Sequence, residues 1–205
     1  MIAQTLTKNV QDGITPDSAL EMLKAGNKRF VDGTPAQRDL HEQVSITASG
    51  QYPYAIVQGC IDSRVPLETV FDAGVGDIFG SRVAGNVVNV DQIGGMEYAC
   101  NAAGSKLIVI LGHTACGAVT GAVKGLQMGN LSGLLGKIRP AVVSMGPIDE
   151  VSPTVVNNVV EANVRRSVVR IREESQILSD LEAKGQIKIV GAMYDVASGK
   201  VTFLD

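Results

Sequence analysis

Two short stretches carry residue types that can do chemistry: His113-Thr-Ala-Cys116-Gly117 and, about fifty residues upstream, Cys60-Ile-Asp62-Ser-Arg64. An imidazole and a thiol three residues apart at a strand-to-helix turn can point at one ion, because their side chains fall on the same side of the first helical turn. Two ligands do not hold zinc, and Cys60 offers a third. Two thiolates and an imidazole neutralise Zn²⁺ and leave a fourth position for water or another anion, which is the catalytic rather than the closed structural pattern. Zinc lowers the pKa of bound water towards ~7. Two thiolates leave the metal less electrophilic than three imidazoles would, so activity is expected to rise into mildly alkaline pH.

Asp62 has two readings at this stage. Its carboxylate could take the fourth zinc position, or it could accept a hydrogen bond from a zinc-bound hydroxide. A fork–fork pair with Arg64 would hold it off the metal, so the two residues could form an open–closed switch. The plainer reading is that Asp62 and Arg64 only cap a helix starting at Pro66.

Residues 107–111 are continuously apolar and largely β-branched, with Gly112 closing the run, as in a strand buried on both faces of a parallel sheet. Residues 54–58 form a second such strand that ends at Gly59 just before Cys60. Both cysteine stretches then sit at carboxyl ends of strands, where open α/β sheets bind ligands, and neighbouring strands lie only ~5 Å apart. Residues 114–126, rich in Ala, Val and Gly, suit a helix leaving the central strand.

Around these, Thr15-Pro16 starts a helix with Leu20, Leu23, Asn27 and Phe30 at helical spacing and Gly33 at its end. Its apolar stripe suits either a partner subunit or its own sheet. Further helices are expected over residues 40–49, from Pro66, over 92–103, over 131–144 with a break at Pro140, and as one long run from Ser152-Pro153 to Lys184-Gly185. Residues 77–83, 187–193 and 200–204 read as strands, and the close turn before the last makes that pair antiparallel. The expected class is α/β: a mainly parallel central sheet flanked by helices, with an antiparallel C-terminal edge strand and an N-terminal helical extension. Residues 1–205 read as one domain, with 1–50 the extension and 51–205 the core.

A net charge of −3 with dispersed Lys and Arg argues against nucleic acid as a partner. No segment is apolar for long enough to span a membrane, and residues 1–13 show no apolar stretch behind a basic start, so a cytoplasmic protein is expected. Three cysteines are too few for a disulfide framework and point to metal binding or catalysis. Cys100 reads as a core residue and His41 as a solvated one. Gly112 and Gly117 flank His113, yet no Gly-Lys-Ser/Thr follows to make a phosphate loop.

Cys60-x-Asp62-x-Arg64 followed by His113-x-x-Cys116 resembles the β-class carbonic anhydrases, and the resemblance runs from about residue 16 to 204. It implies a zinc enzyme hydrating CO₂ to bicarbonate, with Cys60, His113 and Cys116 as ligands and Asp62 with Arg64 as a dyad beside the zinc-bound hydroxide. It also implies a homodimer or higher multiple of dimers. Gln51, Phe79 and Tyr98 are similar to pocket residues of the plant-like subgroup that reach the site across a dimer interface, with Gly117 giving a backbone N–H. Ala84 stands where a bulkier aliphatic is common, implying a slightly wider CO₂ pocket. The bacterial subgroup with a non-catalytic bicarbonate pocket relies on a tryptophan; the chain has none, so inhibition of that type is not expected. Related activities on carbon disulfide or carbonyl sulfide, and a non-catalytic zinc protein closed by Asp62, are the alternatives.

Overall fold

The computed structural model describes residues 4–204. Among them, five strands form one sheet in the order β2-β1-β3-β4-β5. β1 (Ala55–Gly59), β2 (Ile78–Arg82), β3 (Leu107–His113) and β4 (Lys188–Tyr194) run parallel, and β5 (Val201–Leu204) closes the edge antiparallel to β4. Every residue of β1 and β3 is buried. Each fully buried Val, Leu or Ile contributes about 1.5–3 kcal/mol of hydrophobic free energy, so these two strands anchor the fold.

Helices cover both faces. On one lie α2 (Pro16–Asp32) and α4 (Leu67–Val70), where Ala19, Leu23, Leu67 and Phe71 meet Val57, Leu107, Val109 and Leu111. On the other, Ile56, Ile108 and Ile110 meet α5 (Val90–Glu97), α7 (Gly129–Val143), α8 (Pro153–Glu174) and α9 (Gln176–Ala183). α2 therefore packs on its own sheet. Thr15 and Ser18 form its capping box, and Gly33 ends it at φ +67. Asn27 ties it down by donating to the carbonyls of Val70 and Gly199 and accepting from the Val201 N–H. Two further short helices, α1 (Lys8–Asp12) and α3 (Leu40–Thr47), complete the N-terminal region.

Several boundaries depart from the sequence expectation. The helix after β3 is α6 (Gly117–Val123) rather than 114–126, because Thr114 and Ala115 are spent in a turn. α7 runs through Pro140 without a break, with Ile138 and Ala141 buried on either side of it. The long helical run divides at Ser175, which ends α8 and whose hydroxyl accepts from the Leu178 N–H to cap α9. The expected helix over 92–103 is α5 followed by a π-helical turn, Tyr98–Ala102. Residues 84–86 form a 3₁₀ turn, and α1 lies where the sequence pattern marks no helix.

Candidate active site

From β1 the chain moves to β2 on one side and then to β3 on the other, so strand order reverses between β1 and β3. Such a reversal opens a crevice at the carboxyl ends of the strands, and Cys60, His113 and Cys116 meet there. Their ligand atoms all lie within 4.8 Å of one another, the scale of one coordination sphere of radius ~2.0–2.3 Å. All three residues are buried.

Local structure aims each ligand. Cys60 directly follows β1, and its Sγ accepts from the Gly85 N–H at 3.2 Å. His113 is the last residue of β3. Its Nδ1 lies 2.9 Å from the Thr114 carbonyl, and a carbonyl only accepts, so Nδ1 carries the proton. The lone pair of Nε2 is then free, and Nε2 is buried with no hydrogen-bond partner. Cys116 precedes α6, reached through Ala115 at φ +55, a conformation that costs a non-glycine residue about 1–3 kcal/mol and persists only where the surroundings impose it. Here the Ala115 N–H donates to Asn157 Oδ1 of α8 at 3.1 Å, and the Ala115 carbonyl accepts from Arg64 at 3.3 Å.

The hydrogen bond from Cys116 draws the Cys60 thiol well below its ordinary range, and that same bond, with burial, pushes Cys116 up. Two buried sulfurs beside an unpartnered imidazole nitrogen are a donor set that fits zinc.

Asp62 stands beside this set, its Oδ2 4.0 Å from His113 Nε2. Arg64 holds it in a fork: Nε donates to Oδ1 at 2.9 Å and Nη2 to Oδ2 at 2.8 Å, while the Arg64 backbone N–H donates to Oδ1 at 2.9 Å. These bonds, the side-chain pair foremost, keep the carboxyl well below the usual carboxylate range. Neither residue caps α4, whose N-cap position is Pro66 with no side-chain bond.

An apolar cleft of about 230 Å³ opens onto Cys60 and Asp62, and Ala84, Gly117, Gly121, Leu126, Leu131 and Leu135 line it. Ala84 and Gly117 thus join the site. Gln51, Phe79 and Tyr98 do not line this cleft. Phe79 lies on the edge strand β2 and meets Tyr98 edge-to-face at 6.1 Å, Tyr98 is largely exposed, and Gln51 is exposed. His41 is exposed and Cys100 buried, as expected; burial raises the Cys100 thiol to about 12. Sequence reasoning missed Arg82, Gly85, Asn157 and the leucines of the cleft. Only the glycine in the Ala84-Gly85-Asn86 turn carried a local signal.

A cysteine–cysteine–histidine set at the switch point of a parallel sheet, with a forked carboxylate at its side, defines a zinc-dependent α/β enzyme of the β-carbonic anhydrase class. Residues 55–201 match the carbonic anhydrase family, and the chain belongs to it. It is 36% identical over 200 residues to carbonic anhydrase 2 of Mycobacterium tuberculosis, covering 93% of each chain. It is 34% identical over 198 residues to a carbonic anhydrase of Mycolicibacterium smegmatis, covering 91% of this chain and 92% of the other. Among solved structures, the β-carbonic anhydrase CafA of Aspergillus fumigatus superposes with a TM-score of 0.72 at 28% identity, over 92% of this chain and 90% of that one.

Proposed function

We propose that this chain catalyses reversible hydration of carbon dioxide to bicarbonate and a proton, with Cys60, His113 and Cys116 holding zinc. The observation that carries this reading is the Asp62 carboxylate, forked by Arg64, which stands beside the three ligand atoms and lines the apolar cleft that Cys60 also opens onto. Zinc, when bound, supplies a Lewis acid that brings the pKa of water towards neutrality.

The chain's own residues do the rest. Asp62 stays ionised at working pH and accepts a hydrogen bond from the attacking water, turning an oxygen lone pair towards the substrate carbon. Arg64 occupies both carboxylate oxygens and so keeps Asp62 out of the ligand set. The cleft suits a small, linear, apolar molecule. Ala84 and Gly117 line the cleft, which supports a role for Ala84 in leaving room for the substrate and for the Gly117 N–H as a donor to a substrate oxygen.

We assign the chain to the plant-like subgroup, in which Gln51, Phe79 and Tyr98 complete the pocket of a partner subunit. The exposure of Gln51 and Tyr98 and the place of Phe79 on the edge strand β2 support a dimer or a multiple of dimers, as do the exposed Leu40, Val44 and Ile46 of α3. The seating of α2 on the sheet supports treating residues 1–205 as one domain. Three unpaired thiols support work in the cytoplasm, and no helix among the described residues is long and apolar enough to cross a membrane.

The test is stopped-flow CO₂ hydration by zinc-loaded protein from neutral to mildly alkaline pH, with metal content measured on the same sample. The expected outcome is one zinc per chain and a rate above buffer that rises with pH. Full zinc occupancy with no rate above buffer would replace this reading with a non-catalytic zinc protein. Turnover of carbonyl sulfide or carbon disulfide in its place would reassign the substrate.

A further inference from the structure

Resting on the role just assigned to Asp62, we propose that Arg82 is its positioning residue: it clamps the backbone carrying Cys60 and Asp62, and so sets where the Asp62 carboxylate stands relative to the metal ligands.

Arg82 is the last residue of β2 and pairs in register with Gly59, the last of β1. Beyond that point the strands part, and residues 60–64 leave the sheet. Little apolar anchorage holds this loop: Ile61 is 61% exposed, and Ser63 and Arg64 are exposed too. Its position must come from polar contacts, and Arg82 supplies two. Nε donates to the Cys60 carbonyl at 2.8 Å, and Nη2 donates to the Asp62 carbonyl at 2.5 Å. A planar guanidinium has donors at a fixed angle and can span two carbonyls two residues apart; a lysine ammonium is a single point. The Val83 N–H adds a bond to the Gly59 carbonyl at 3.0 Å, so the end of β2 grips the loop at successive points.

The two arginines control different degrees of freedom. Arg64 orients the carboxylate, whereas Arg82 fixes the backbone from which that carboxylate springs. Misplacement of a reacting group by ~1 Å costs about 100-fold in rate, so releasing the clamp should be felt mainly through Asp62.

The experiment is a double-mutant cycle on the zinc-loaded full chain with Arg82→Gln, Arg82→Lys and Asp62→Asn, alongside hydrogen exchange of the amides of residues 61–64. Arg82→Gln should keep one zinc per chain and lower kcat about 10- to 100-fold, with KM changed less than about twofold. Arg82→Lys should recover little of the loss. In an Asp62→Asn background the same substitution should cost less than about threefold, because a carboxylate already gone cannot be mispositioned. Amides 61–64 should exchange faster in Arg82→Gln. Wild-type kcat in Arg82→Gln, losses that simply multiply in the double mutant, or unchanged exchange would each overturn the proposal. A wild-type chain without CO₂ hydration, or a fully active Asp62→Asn, would instead overturn the role of Asp62, and the exchange measurement separates that failure from failure of the clamp.

Discussion

Replacing Gly85 with alanine should loosen both the fold and the hold on zinc, and the size of the effect follows from the geometry. Gly85 sits at φ +64 in the turn after β2, and an L-residue in that left-handed region costs about 1–2 kcal/mol. An added Cβ would lie 2.6 Å from Ile138 Cδ1 and 3.3 Å from Ala118 Cβ. Ile138 is fully buried, so its terminal methyl must shift within a close-packed interior, at the lower end of overpacking penalties, about 1 kcal/mol. The sum is about 2–3 kcal/mol. At ~2–4 °C per kcal/mol for a chain of this size, the melting temperature of metal-free protein should fall by about 4–12 °C.

A second effect is separable. The Gly85 N–H donates to Cys60 Sγ, and a bond to a charged acceptor contributes about 1.5–3 kcal/mol. Relaxing the strained turn moves that donor, so zinc release to a chelator should quicken about tenfold, which corresponds to ~1.4 kcal/mol. Thermal melts by circular dichroism, with and without zinc, and a chelator-release time course read the two effects apart. A melting temperature within about 2 °C of wild type would refute the steric and conformational argument. A lowered melting temperature with unchanged zinc release would refute the role of the N–H.

Asp62→Asn should retain zinc and lose about 10²–10⁴ in kcat, the range of a lost proton acceptor, because the amide places a donor against Arg64 Nη2; unchanged turnover in stopped flow would remove Asp62 from the mechanism. Cys116→Ala should lose metal, and the melting temperature should no longer respond to added zinc. Asp72 is nearly buried and accepts from Arg29, Arg38 and the Ala36 N–H; burial opposes its ionisation, but these partners prevail and hold its carboxyl below the ordinary range. A depressed folded pKa gives stability that is present above the unfolded value of ~3.9 and is lost as pH falls through the folded one. Asp72→Asn should therefore destabilise the fold by about 3 kcal/mol at pH 7 and flatten the loss of stability below about pH 4, both read from denaturant melts; an unchanged acid limb would contradict this.

The metal ligands were legible because each lies at or just beyond the end of a buried strand, where hydrophobic burial dictates an unbroken apolar run that glycine stops. Leu107, Ile108, Val109, Ile110 and Leu111 announce β3, and His113 follows two residues later. The errors fall where local pattern and tertiary contact diverge. The apolar stripe continues from Ile171 to Leu178 straight across the α8–α9 division, so periodicity could not reveal the break that Ser175 makes. Alanine carries no mark of a positive φ, so the turn at Ala115 that delays α6 depends on Asn157, 42 residues away. Arg82 reaches back 22 residues to the Cys60 carbonyl, and nothing in its neighbours along the chain advertises that reach.

The site divides its demands between two kinds of support. Cys60, His113 and Cys116 stand on strand ends and a helix start within the core, where close packing fixes backbone positions and brings three donors together. Asp62 stands on a short loop outside the sheet, held by two arginines and by a turn bond from the Val65 N–H to its carbonyl. Core substitutions should therefore register mostly in stability and zinc retention. Changes to the polar contacts of residues 60–64 should register mostly in turnover, because bonds at an exposed loop add little to the folding equilibrium while setting the carboxylate to within an ångström.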